Sequence, residues 1–214
     1  MATLTAPTTP EHEASTFVPD VLGRGDYRII SEMVEDGSRV LDLGCGEGSL
    51  MAWLEQTKRA ECRGVEISPK KVRQALSKGL SVYQGDIDRG LEDYPDEAFD
   101  YVILSQTLQE AHKPREVLRE MMRVGRRGIV AFPNFGHWSA RLSLLWTGRA
   151  PKTKHLPYEW YETPNIHFVT VPDFDELLRS EGIAAEKAYF LRGDKRVSIR
   201  PTLFADTAVY LLKR

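Results

Sequence analysis

The sequence predicts a doubly wound α/β domain built on a mostly parallel sheet of seven strands, and three observations carry that prediction. Short apolar runs alternate with segments of helical period, the pattern of strand–crossover–strand units. Hydrophobicity inside those runs is continuous rather than alternating, as expected of strands covered on both faces. A glycine-rich turn joins the first run to the helix that follows it, where such sheets turn their backbone toward a ligand.

The elements follow in order. Residues 1–21 are rich in Pro, Thr and Glu and read as a disordered tail; residues 22–214 read as one domain. Asp26 is placed to N-cap a helix carrying Ile29, Ile30, Met33 and Val34 on one face, with Gly37 as its stop. RVLDL (39–43) is the first strand, and 48–58 the first crossover helix, packing through Leu50, Met51 and Leu54. CRGVEI (62–67) is the second strand. The helix at 68–78 has Ser68 as N-cap, Pro69 in its first turn, Val72, Ala75 and Leu76 on one face, and Gly79 after its end. LSVYQ (80–84), FDYVILS (99–105) and RGIVAF (127–132) are the next strands. Between the last two, 113–124 opens on Pro114 and turns Val117, Leu118 and Met121 inward before Gly125. A helix at 172–181 offers Phe174, Leu177 and Leu178 ahead of Gly182, and EKAYFLR (186–192) and TAVYLL (207–212) complete the strands.

One stretch breaks this rhythm. The insertion at about 133–170 holds Trp138, Trp146 and Trp160 of the four tryptophans, and His137, His155 and His167 of the five histidines. Long structureless loops are uncommon, and this aromatic content argues for an ordered segment against which something packs.

Composition excludes several classes. Lys and Arg total 29 against 31 Asp and Glu, a formal net charge of −2, whereas proteins that track phosphate backbones carry a basic excess. No apolar run approaches the ~18–20 residues of a membrane span, and the first residues have neither the basic start nor the apolar stretch of a secretory signal. Cys45 and Cys62 make no disulfide framework, and no His, Cys, Asp or Glu spacing suggests a metal. The expectation is a cytoplasmic protein that engages neither nucleic acid nor membrane.

The strongest local signal is VLDLGCGEGSL (40–50). A buried strand ends at Leu43, and Gly44, Gly46 and Gly48 precede a helix N-terminus. For Gly48, close helix–strand packing and ligand contact stay open alike. Asp42 lies inside the strand, where an unpaired carboxylate is costly; it either caps the loop amides or serves a ligand. Glu66 ends the second strand, where a carboxylate can accept both hydroxyls of a ribose, and Asp86 follows the third.

That combination resembles the class I S-adenosylmethionine-dependent methyltransferases, over roughly residues 26–212. The loop matches at Asp42, Gly44, Gly46 and Gly48; the acidic end of strand two matches at Glu66 and the acidic residue after strand three at Asp86; and SQTLQ (105–109) follows strand four. The resemblance implies a Rossmann-like sheet that holds S-adenosylmethionine or S-adenosylhomocysteine. Glu66 would hold the ribose, Asp86 and Ile87 would flank the adenine, and Asp42, the glycine loop, Ser105 and Gln106 would surround the methionine part.

A narrower resemblance rests on VLDLGCGEGSL, QGDIDRGL, FDYVILSQTLQ, REMMRVGRR, FPNFGHW, LPYEWYETPNIHF and the N-terminal RGDYRII. Together these strings are similar to the MetW family of methionine-biosynthesis proteins. This resemblance implies a partner that supports homoserine O-acyltransferase, with Trp138, Trp146, Tyr158, Trp160 and Tyr161 as candidate contacts.

Methyl transfer is an open alternative. SQTLQ is not an (N/D)PP(Y/F) turn, which disfavours methylation of base amino groups. His112, His137, His155 and His167 are candidate bases, each read first as an ordinary hydrogen-bonded or surface imidazole. No catalytic residue is assigned. Cys45 is open to a lowered pKa at the loop amides, but a small side chain in a tight turn explains it. Arg123, Arg126 and Arg127 read as the solvated end of a helix or as contacts for an acidic partner. Arg149, Lys152 and Lys154 read as partner contacts or plain surface. The leading expectation is thus a methyltransferase-like accessory protein of methionine biosynthesis. The alternative is an active methyltransferase on a small molecule.

Overall fold

The structure, a computed structural model, describes residues 24–89, 91–153 and 156–214. The expected tail and the side chains of Lys154 and His155 lie outside the described residues. The sheet order is β3-β2-β1-β4-β5-β8-β6-β7, with β1 at Arg39–Leu43, β2 at Glu61–Glu66, β3 at Val82–Gln84, β4 at Phe99–Ser105, β5 at Gly125–Pro133, β6 at Ala184–Arg192, β7 at Lys195–Arg196 and β8 at Thr207–Lys213. The first five are parallel to one another, and β8, β6 and β7 join antiparallel beyond β5. The expected count of seven is corrected to eight. The extra strand, β7, pairs only Arg196 with Leu191 and Lys195 with Arg192, too short a hairpin arm to leave an apolar signature.

Helices α1 (Gly25–Met33), α2 (Ser49–Lys58), α3 (Pro69–Ser77), α4 (Pro114–Val124), α5 (Trp138–Thr147), α6 (Val171–Glu181) and α7 (Pro201–Phe204) complete the fold, with a single 3-10 turn at Leu108–Glu110. Two apolar layers cover the sheet. One gathers Leu43, Val102, Leu118, Met121, Phe132, Phe174 and Tyr210; the other gathers Ile29, Ile30, Val40, Leu50, Leu54, Ile103 and Val209. β1 and β4 contribute to both layers, which is why their sequences are continuously apolar.

Several local expectations change. Asp26 lies inside the first turn of α1 rather than capping it; Arg24 holds the N-cap position and pairs with the Asp26 carboxylate. Leu76 is exposed, because α3 buries Val72 and Ala75 and stops before a further turn could cover it. Leu80 precedes β3 and packs beneath the glycine loop instead of extending the strand. Arg123 bonds to Glu120, Asp96 and the carbonyls of Leu91 and Tyr94. Arg126 lies beside Glu97 and Asp100, and Arg127 beside Glu35 and Glu186. These three arginines tie the molecule together, and the last two belong to β5 rather than to a helix end. Among the described residues no helix is long and apolar enough to cross a membrane.

Candidate functional site

β1 pairs with β2 on one side and with β4 on the other, so the chain reverses its direction of winding there. In open α/β sheets the crevice at the carboxyl ends of the strands at such a reversal is where ligands bind. The structure places a cleft of about 340 Å³ there, lined by Gly44, Glu66, Asp86, Ile87, Ser105 and Gln106 together with Ile67, Ser68, Lys71, Asp88, Thr107, Glu110 and His112. That volume falls within the ~300–1,000 Å³ of small-molecule sites. Six of the eight residues singled out from sequence meet in this cleft. Asp42 and Gly46 are not among its lining residues.

The loop is shaped by what surrounds it. Gly48 has φ +77°, and a Cβ there would lie 2.2 Å from Leu80 Cδ1 and 3.4 Å from Ala75 Cβ; close packing explains it, against α3 and its link to β3 rather than against a strand. Gly46 has φ +59°, and a Cβ there would meet nothing within 4 Å, so this turn of the loop faces open space. Glu66 is only 5% exposed. Its carboxylate accepts the Gly46 N–H at 2.9 Å and the Ser68 N–H at 2.8 Å. Each oxygen keeps a further lone pair, so the residue braces two turns and can still accept from a ligand hydroxyl.

Asp42 is 2% exposed, and no hydrogen bond from the described residues reaches its carboxylate. It caps no loop amide, contrary to one of the two readings offered for it. Burial raises its pKa from 3.8 to about 7, opposed by Arg24 and reinforced by Glu66. Arg24 bonds through Nε and Nη2 to Asp26, and the Ser105 hydroxyl donates to Asp26 at 3.1 Å. The N-terminal helix thereby closes onto the end of β4.

Across the cleft, Asp86 accepts the N–H of Asp88 at 2.9 Å, and Asp88 accepts the N–H groups of His112 and Lys113 at 3.0 and 2.8 Å. Burial raises the Glu110 carboxyl, with Lys71 pulling against it. Cys45 is buried, and burial beside Asp42 and Glu66 pushes its thiol up; the lowered pKa considered from sequence is overturned.

The insertion takes a form the sequence did not suggest. Its helix α5 buries Ala140 alone. Trp146 is 80% exposed and Trp160 72%, with Tyr158, Tyr161, Leu145 and Phe168 also exposed and Trp138 at the margin. Phe135 and Phe168 meet edge to face at 5.0 Å, as do Trp160 and Tyr161 at 5.6 Å. These aromatics are surface, not core. His137 N-caps α5, its Nδ1 accepting from Ser139 N–H and facing the Ser139 hydroxyl at 2.8 Å. Among the described candidate bases only His112 lines the cleft; His155 lies outside the described residues. Lys152 pairs with Glu159. The cleft residues not singled out from sequence, Ser68, Lys71, Thr107 and Glu110 among them, lie within five residues of ones that were. Their only signal was position just beyond a strand end.

Comparison with known proteins places these features in context. The family model described as "Methionine biosynthesis protein MetW" matches residues 24–212. A Rhodopirellula baltica protein described as "Bifunctional methionine biosynthesis protein MetXA/MetW" is 35% identical over 216 aligned positions, covering 94% of this chain and 35% of the relative. Ajmaline N-methyltransferase of Rauvolfia serpentina is 32% identical over 97 positions, covering 42% of this chain and 33% of that enzyme. The chain thus spans about a third of the length of these curated relatives. An S-adenosylmethionine-dependent methyltransferase from Mesorhizobium loti superposes with TM-score 0.67 at 18% identity, over 89% of this chain and 98% of that one. The [4+2]-cyclase SpnF superposes with TM-score 0.64 at 16% identity, over 88% and 80%. Likeness at that identity speaks to the fold alone: a class I methyltransferase sheet.

Proposed function

The chain belongs to the MetW family of methionine biosynthesis proteins, and from that premise we propose that it is an accessory protein that docks on homoserine O-acyltransferase and binds S-adenosylmethionine or S-adenosylhomocysteine in the cleft. The observation that carries this reading is the separation of two surfaces on one domain. An acid-lined cleft lies at the winding reversal, and an exposed aromatic insertion lies beside it.

The nucleotide assignment rests on the fit of the donors. Glu66 would take the ribose hydroxyls, and Asp86 with Ile87 the adenine. Gly44, Gly46, Asp42, Ser105 and Gln106 would surround the methionine part. Four carboxylates, Glu66, Asp86, Asp88 and Glu110, face the cleft against Lys71, a balance that favours a ligand carrying positive charge, as a sulfonium does. The partner assignment is supported by the Rhodopirellula relative, whose description joins MetXA and MetW in one chain most of which lies outside the region of likeness. Exposed tryptophan and tyrosine side chains are common anchors of protein interfaces, and Trp138, Trp146, Tyr158, Trp160 and Tyr161 are the contacts we assign. We read residues 22–214 as one such domain and place it in the cytoplasm, a compartment suited to the free buried thiols of Cys45 and Cys62.

The test is reconstitution with the homoserine O-acyltransferase of the same organism. Co-elution and an acyltransferase rate that depends on this chain are expected. Equal rates with and without it, at every nucleotide concentration, would reject the partner role. The likeness to ajmaline N-methyltransferase and the position of His112 at the cleft favour a second reading, methyl transfer to a small amine or similar acceptor. Release of S-adenosylhomocysteine during incubation with S-adenosylmethionine and candidate acceptors would support that reading instead.

A further inference from the structure

Gln109 is 3% exposed and belongs to the short turn Leu108–Glu110, which separates the cleft from the insertion. On the cleft side, Gln106, Thr107 and Glu110 are lining residues. The Gln109 side chain reaches back to that side, its Nε2–H donating to the Gln106 carbonyl at 2.8 Å. Gln106 holds φ +58°, a left-handed conformation that residues other than glycine seldom adopt and that persists only when its surroundings enforce it. On the other side, the main-chain carbonyl of Gln109 accepts the N–H of Ile166 at 2.8 Å and of His167 at 3.0 Å. The descending limb of the insertion therefore hangs on the same residue that braces the cleft turn, and the exposed Phe168 is next in the chain.

Gln109 Oε1 and His167 Nε2 are both buried at this junction with no hydrogen-bond partner among the described residues, and such atoms cost free energy in any packing that strands them.

We propose that Gln109 is a positioning residue that couples the cleft to the insertion: a ligand that settles against Gln106 resets the turn, and the 166–168 segment moves with it. The inference rests on the reading of the cleft as an adenosyl-nucleotide site. It goes beyond that reading by naming the residue through which occupancy reaches the surface. Coupling of this kind is a difference in nucleotide affinity between two surface arrangements, so it is reciprocal.

The Ile166 and His167 amides are themselves the reporters. Hydrogen–deuterium exchange of the full chain would be followed with and without S-adenosylhomocysteine, beside calorimetry of the same samples. The expected result is slowed exchange at Gly46 and Ser68 in the cleft and also, by at least about fivefold, at Ile166 and His167. In Gln109→Met, which keeps the volume and removes both polar atoms, protection at Gly46 and Ser68 remains at saturating nucleotide while the effect at 166 and 167 disappears. Should that variant fail to fold, Gln109→Glu, which sets an acceptor against the Gln106 carbonyl, serves in its place. Cleft protection with unchanged exchange at 166 and 167 in the wild type overturns the coupling, as does full transmission in the variants. Absence of both heat and cleft protection instead rejects the nucleotide reading, and this inference with it.

Discussion

The Glu66 carboxylate accepts the Gly46 N–H at 2.9 Å, so the end of β2 holds the loop that leaves β1. The same side chain takes the Ser68 N–H at the start of α3. One buried carboxylate therefore sets the spacing of two turns on the cleft wall. Glu66→Ala is expected to weaken adenosyl-nucleotide binding by about 1.5–3 kcal/mol, roughly 10- to 150-fold, the range for hydrogen bonds to a charged group. Calorimetry decides it. Unchanged affinity with a lowered melting temperature would leave Glu66 a brace and nothing more.

Two glycines of the loop, Gly46 and Gly48, separate packing from ligand approach. Gly48→Ala drives a methyl into Leu80, 2.2 Å away, at a residue already held at φ +77°. It is expected to cost about 1–3 kcal/mol of stability as an overpacking and strain effect, read as a lowered urea midpoint. Gly46→Val carries only the strain, because its Cβ meets open space. Its expected signature is a larger loss of nucleotide binding than of stability. A Gly46→Val protein that binds as the wild type does would make the loop purely structural.

How much of this was legible in the sequence follows from range. β1, β4 and α4 were readable because burial is written into their own residues: Leu41, Ile103 and Met121 are fully buried where periodicity put them. Asp26 was misplaced because its partner is decided by the chain's path. A carboxylate one residue inside the helix meets Arg24 and, across 79 residues, Ser105. β7 escaped notice because its pairing is two residues long. In the cleft, Glu66 announced itself as an acid ending a strand and Asp86 as an acid just past one, whereas Lys71 and Glu110 are ordinary helix and turn residues that only the fold brings opposite one another. The aromatic insertion was readable as ordered, but not its exposure. A helix that buries Ala140 alone looks, by composition, like one that belongs inside.

Asp42 makes stability depend on pH in a direction opposite to most carboxylates. Its folded pKa, about 7, lies above the usual 3.8 because burial disfavours the charged form. Between about pH 4 and pH 7 the unfolded chain has released a proton that the folded chain retains. Stability therefore falls as pH rises through that window, the contribution of this group being intact below it. Asp42→Asn removes the group's titration. The melting temperature of the variant relative to the wild type is expected to climb from pH 5 to pH 8. A gap that stays constant over that range would show that Asp42 ionises as an ordinary carboxylate.

Arg24→Ala removes the partner of an Asp26 carboxylate that is itself buried, leaving, among the described residues, only the Ser105 hydroxyl against it. Because Arg24 is partly solvated, the expected loss is about 1–3 kcal/mol rather than that of a fully buried pair. Double replacement with Asp26→Asn should recover part of it, since the stranded charge is then gone. A thermodynamic cycle over the four proteins measures the coupling, and additivity would mean that the pair contributes nothing as a pair.

Trp146 and Trp160 test the surface where partner and fold make opposite demands. Both are largely exposed, at 80% and 72%, so alanine at either position should change stability by no more than about 0.5 kcal/mol. If the insertion is the docking face, the same substitutions remove aromatic anchors. Binding to the acyltransferase should then weaken by about 2 kcal/mol or more for at least one of them, roughly 30-fold. Nucleotide binding in the isolated chain should be untouched, because neither residue lines the cleft. The combination is diagnostic: a fold without need of these rings has no reason of its own to hold them in water. Weakened association at unchanged melting temperature would locate the interface, measured by surface plasmon resonance beside thermal denaturation. Association that survives the double substitution would move the interface off the insertion altogether.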